Sequence, residues 1–129
     1  MLENKDKIYD LEERTAVFGE NIIEFAKKLP KTIITIPLIG QLIPAGTAVS
    51  ALYCEADCAE SRRDFEHKIG LCKKESKETK NWLRMIIKAC PEFAEEAAKL
   101  RNEAVELNLI FVAIIKSSHA NKERAKINV

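Results

Sequence analysis

Apolar positions recur along this chain in alternating steps of four and three, the period that places side chains on one helix face. The first run is Leu11, Thr15, Phe18, Ile22, Phe25 and Leu29. Asp10 precedes it as an N-cap, Glu13 is spaced to reach back, and Pro30 closes it. A later run is Phe65, Ile69, Cys72, Ser76, Thr79, Leu83, Ile86 and Cys90, behind the capping signature Ser61-Arg62-Arg63-Asp64. The last is Phe93, Ala97, Leu100, Ala104, Leu107, Phe111 and Ile114. It follows Pro91, which suits a first helical turn, and has Glu92, Glu95 and Glu96 at the positive end of the helix. After Lys116 the chain turns polar. The pattern predicts a single domain over 1–118 and a polar C-terminal tail over 119–129.

The segment between the first and second of these runs has no charged residue from Thr32 to Cys54. Its apolar residues cover every side of a helix. Pro37, Pro44, Gly40 and Gly46 predict an irregular start and a bend near Pro44 to Thr47, with the helix ending near Ala59. Four helices joined by short turns make an all-α protein, an antiparallel up-down four-helix bundle.

Two segments are more apolar than one bundle can cover: this second helix, and Leu107 to Ile115. The first is long enough to span a bilayer. Its two prolines and two glycines, Gln41, and the need of three amphipathic helices for a packing partner all argue against that. The expectation is no membrane and a homo-oligomer instead, with Ile36, Ile39, Ile43, Val49, Trp82, Leu109 and Val112 as candidate interface residues. Trp82 lies off the core seam, beside Met85.

Charge enters next. Of 129 residues, 32% are charged, yet 21 cations balance 20 anions to leave a net charge of +1. No global field draws the protein to polyanions, so any such binding needs a local arrangement. The N-terminus, Met1 to Lys7, has no apolar run behind a basic start, which predicts no secretory signal, a cytoplasmic location and reduced cysteines.

That local arrangement exists on the third helix, where Lys73, Lys77, Lys80, Arg84 and Lys88 share a face. Such a row can neutralise phosphates without reading sequence. An alternative is an ion ladder to the fourth helix, pairing Lys88 with Glu92, Arg84 with Glu96, Lys77 with Glu103 and Lys73 with Glu106. The ladder is the favoured reading at this level. Arg62, Arg63 and the tail cations Lys122, Arg124 and Lys126 lie outside it.

Other constellations are thin. Cys54 and Cys58, with Cys72 or His67, could make a thiolate site, but thiols acting as small hydrophobes are preferred, and no metal or cofactor is expected. His67 beside Glu66, and His119, read as surface or interface residues. Ser76 and Thr79 on the seam let helices approach closely or form a small hydrogen-bonded layer. No nucleophile with a base and an orienter can be assembled. There is no glycine-rich phosphate loop and no Glu-x-x-His pair of the di-iron bundle type. No catalytic residue is assigned, the chain is not expected to be an enzyme, and no small-molecule substrate is expected.

Several stretches resemble a known family: Leu11-Glu12-Glu13-Arg14-Thr15 with Phe18, Lys28-Leu29-Pro30-Lys31, Gln41-Leu42 with Gly46-Thr47, and Tyr53 with Glu55-Ala56. They continue in Ala59-Glu60-Ser61, Asp64-Phe65 with His67-Lys68, Lys74 to Thr79 with Trp82-Leu83, and Ile114-Ile115-Lys116-Ser117. The chain resembles the four-helix-bundle proteins encoded within 23S rRNA intervening sequences, the S23 ribosomal protein family, over about residues 10–118. The resemblance implies a four-helix bundle that assembles as a ring-like homopentamer, without known enzymatic activity and with RNA or DNA as the suspected partner. Related accessory proteins of diversity-generating retroelements are strongly basic and this chain is not; it also has Pro44 and Cys54 where relatives often have Arg, and Leu52 where they often have Asn. The expected function is therefore first a non-enzymatic, self-assembling scaffold or partner-binding module, and second a nucleic-acid-associated protein.

Overall fold

The computed structural model describes residues 10–127, with side chains over 10–123. The Met1 to Lys7 reading and the side chains of Arg124 and Lys126 lie outside it. Four helices carry the fold, and no strand occurs among the described residues. They are α1 (Leu11–Lys28), α2 (Thr35–Asp57), α3 (Arg62–Ala89) and α4 (Ala94–Ile127), the last preceded by a 3₁₀ turn at Pro91–Phe93. Each of α2 and α3 packs on the helix before and after it, and α1 closes the ring against α4.

The seams read from the sequence form the core. Phe18, Ile22, Phe25, Ile69, Leu83, Ile86, Leu107 and Phe111 are buried in one cluster with Leu42 and Val49 of α2. Each large apolar side chain so buried contributes about 1.5–3 kcal/mol against chain entropy. Phe25 and Phe93 meet edge to face at 6.3 Å, a favoured geometry for aromatic quadrupoles.

Ser76 and Thr79 are fully buried but form no layer between helices. Their hydroxyls donate to the carbonyls of Cys72 and Glu75, four residues back, at 2.9 and 2.7 Å. Thr15 does the same to Leu11 at 2.6 Å. Each polar group is satisfied on its own helix, so these residues serve as small fillers.

Helix termini match the sequence in part. The Ser61 hydroxyl accepts from the Asp64 amide at 3.0 Å, as the capping signature requires. Asp10 occupies the N-cap of α1, but its side chain makes no capping bond; the first helical bond runs from Arg14 N–H to the Asp10 carbonyl. The start of α2 is more ordered than expected. Thr32 and Thr35 cap each other reciprocally, each amide donating to the other's hydroxyl at 2.8 and 3.1 Å. Lys31 donates to the Ala26 and Leu29 carbonyls and closes α1.

Helix α2 is continuous through Pro44, the place where the sequence predicts a bend. The carbonyl that Pro44 leaves without a donor belongs to Gly40, which is exposed to solvent. Residues 119–127, set apart in the sequence as a polar tail, are a continuation of α4. Ser118 donates to Glu66 at 2.7 Å and His119 pairs with the same carboxylate at 3.0 Å, which ties this end of α4 to the start of α3. The Ser118 hydrogen bond, helped by His119, holds the Glu66 carboxyl below its ordinary value.

Candidate nucleic-acid interface

Among the described residues, Lys73, Lys77, Arg84 and Lys88 of α3 do not pair with Glu92, Glu96, Glu103 or Glu106. Three glutamates of α4 instead face α1: Glu96 pairs with Lys28 at 2.7 Å, while Arg14 grips Glu103 through two nitrogens at 2.8 and 2.7 Å and reaches Glu106 at 3.1 Å. The ion ladder therefore joins α4 to α1 and not to α3. The reason is the flank on which these acids sit. The buried stripe of α4 has two borders; the glutamate border lies against α1. The opposite border carries Asn108, which donates to the Lys73 carbonyl of α3 at 2.9 Å.

Arg14 and Glu103 are partly covered, with side chains 25% and 29% exposed. Burial pushes the Glu103 carboxyl up, but the Arg14 hydrogen bond and charge outweigh it and hold that carboxyl below its ordinary value. The same bond raises Arg14. A group with a lowered folded pKa adds stability above its unfolded value and loses it as pH falls through the folded one. Arg14→Ala is thus expected to lower unfolding free energy by roughly 1 kcal/mol near neutral pH, a figure already reduced for solvent screening. Urea melts should show that this difference shrinks as the medium is acidified below the carboxylate range.

With Glu96, Glu103 and Glu106 turned to α1, Lys73, Lys77, Lys80, Arg84 and Lys88 are all exposed and none makes an ion pair among the described residues. Three of them line a groove of about 370 Å³ between α3 and α4: Lys77, Lys80 and Arg84, facing Arg101, Asn102 and Val105 with Asn81 beside them. Four cations and two amides converge there without a carboxylate in the lining. The sequence reading missed Arg101. Its signal is the spacing to Asn108, seven residues on and therefore on the same α3-facing border of α4.

Other candidates separate. Arg62 and Arg63 are exposed at the start of α3, away from this groove; Arg62 lines a depression of about 620 Å³ with Phe65, Ile114 and Ser118. Lys122 is exposed on the last turns of α4. Cys54 and Cys58 are exposed, against the expectation of buried thiols, while Cys72 and Cys90 are buried. Burial pushes the Cys72 thiol up to about 12, and its Sγ points at the Val49 carbonyl, 3.7 Å away. Cys72 thus cannot join the other two at a surface site. His67 is exposed.

Among the interface candidates, Ile36 and Leu109 are 57% and 61% exposed, and Ile39, Ile43, Trp82 and Val112 are half-buried. Val49 is a correction: it is fully buried against α3 and cannot contact a second chain. The turn before α2 adds Ile33 and Ile34, 88% and 61% exposed. Helix α2 is long and apolar enough to cross a membrane by length and composition, and it lies here in contact with α1 and α3.

Comparison with known proteins comes from structure. No family model and no curated protein matches the chain. A crystal structure of a protein of unknown function from the S23 ribosomal protein family of Bacteroides thetaiotaomicron VPI-5482 superimposes with a TM-score of 0.73 and 27% sequence identity. The match covers 81% of this chain and 97% of that one. In sequence and in three-dimensional fold, the chain is similar to the S23 ribosomal protein family.

Proposed function

We propose that this chain is a non-enzymatic helical module that binds the phosphate backbone of RNA or DNA through the groove between α3 and α4. The observation that carries the reading is the unpaired cation row: three of the four acids that would neutralise it, Glu96, Glu103 and Glu106, are held by α1. Arg101 adds a fourth charge from across the groove, and an arginine fork suits phosphate oxygens. Asn81 and Asn102 supply amide donors alongside. This reverses the order of the two functions expected from sequence, because the ladder that discounted the row has a different partner.

Self-association is the second part of the proposal. Antiparallel packing of neighbouring helices, supported by the Arg14–Glu103 and Lys28–Glu96 pairs, leaves Ile33, Ile34, Ile36 and Leu109 uncovered on a single chain. A second copy is the cover we propose, in the cytoplasm and with the homopentamer of the resemblance as the expected assembly. Repeating one modest groove around a ring multiplies its affinity when one strand reaches several grooves.

Binding to RNA and to duplex DNA at two salt concentrations tests the first part; no binding at low salt ends it. Light scattering tests the second. The wild type is expected to be larger than a monomer, and Ile36→Lys with Leu109→Lys is expected to reduce it to one. A monodisperse wild-type monomer refutes the assembly.

A further inference from the structure

We infer that the groove takes single-stranded nucleic acid, with Trp82 as the platform on which an unpaired base stacks. This rests on the nucleic-acid reading above and narrows it to one class of strand. Beside the basic groove lies a second open depression of about 670 Å³, lined by Gln41, Lys74, Lys77, Glu78, Asn81 and Trp82. The two hollows share Lys77 and Asn81. The first has four cations and no carboxylate; the second sets Glu78 against Lys74 and Lys77 and adds an indole.

Trp82 is half-buried: it packs against the core and its exposed part lines this depression. A ring held this way loses little freedom when a base lies on it. Its N–H donates to no protein group among the described residues, so that donor is open to a ligand. Gln41 and Asn81 each bring a donor and an acceptor, which is what the edge of an unpaired base presents. Glu78 offsets part of the charge of Lys74 and Lys77 in this hollow, whereas four cations line the other with no carboxylate, so the stronger field draws the backbone to the Lys77–Lys80 side and leaves the Trp82 side for the base. A duplex buries its base faces in its own stack and offers nothing to an indole. Stacking on aromatic side chains with a cationic track alongside is how sequence-blind single-strand binders work.

Trp82 is the chain's single tryptophan, so the intact protein reports on itself. The wild type is titrated with a uridine oligonucleotide, with a duplex of equal length and with inorganic polyphosphate, following both tryptophan emission and anisotropy of a labelled strand. The expected result is quenching by the oligonucleotide, little quenching by polyphosphate, and weaker binding of the duplex. Trp82→Ala is expected to lose about tenfold to a hundredfold in single-strand affinity, and Trp82→Phe to keep most of it. Because Trp82→Ala also removes core contact, circular dichroism accompanies it and the Phe variant and wild-type emission decide. If the strand binds while emission stays unchanged, or polyphosphate quenches equally, the stacking inference is overturned and the groove stands. If dilution of the protein alone shifts the emission and the strand does not, Trp82 is covered by a second copy and the inference fails. If nothing binds, the nucleic-acid reading falls and takes this inference with it.

Discussion

Replacing Lys77, Lys80 and Arg84 together by glutamate is expected to weaken RNA binding by about a hundredfold to a thousandfold at about 50 mM salt. Three phosphate contacts become three repulsions, on exposed positions that support no core residue. The slope of log affinity against log salt should flatten by about 0.7 per lost contact on a single strand. Arg101→Glu, across the groove, should act in the same direction. Lys27→Glu on α1 changes the charge by the same step in a different place, and is expected to alter affinity by less than about twofold, since exposed charges are screened beyond a Debye length. Equal losses in both would mean that net charge, and not the groove, governs binding.

The largest effect on stability is expected at the crossing of α1 and α2. Gly46→Ala should destabilise the fold by about 2 kcal/mol, the opposite sign to the gain of up to about 1 kcal/mol that helix propensity alone assigns. A Cβ at Gly46 would stand 2.9 Å from Ile22 Cγ1, 3.0 Å from its Cγ2 and 3.2 Å from its Cβ. The last of these is fixed to the backbone, so α1 itself must move. Gly19 is a useful contrast, since a Cβ there would meet Thr47 at an ordinary 3.5 Å. The check is a double-mutant cycle by urea denaturation. Ile22→Ala costs about 2–5 kcal/mol alone, yet it opens the space, so adding Gly46→Ala to it should be neutral or favourable. A simple sum of the two losses would show that the crossing is not limited by Ile22.

The core was readable because burial and helical period are the same information. Cys72, Ser76, Thr79 and Leu83 sit inside for the reason their spacing states, and the polar ones needed no partner helix. What period cannot say is which neighbour covers each border of a helix. Glu96, Glu103 and Glu106 share one border of α4, but whether that border meets α3 or α1 depends on the hand of the ring. The same gap concealed Arg101, whose relevance appears only once α3 is known to lie on its side. Val49 erred differently. On a helix apolar all round, no polar face marks the outside, so the inward residues could not be told from the outward ones. The Thr32–Thr35 cap was visible as a spacing and was masked by the apolar residues between.

The separation of charge has a practical consequence at the bench. A chain with a net charge of +1 and an isoelectric point near 7.6 should pass through ion-exchange resin at neutral pH almost unretained. Resins respond to patches as well as totals. With Glu96, Glu103 and Glu106 of α4 matched to α1, and Lys73, Lys77, Lys80, Arg84 and Lys88 of α3 unpaired among the described residues, the molecule presents a cation exchanger with one strongly adhesive side. It should elute far later than its titration curve allows, and cell extracts should yield it with polyanions attached unless high salt strips them first.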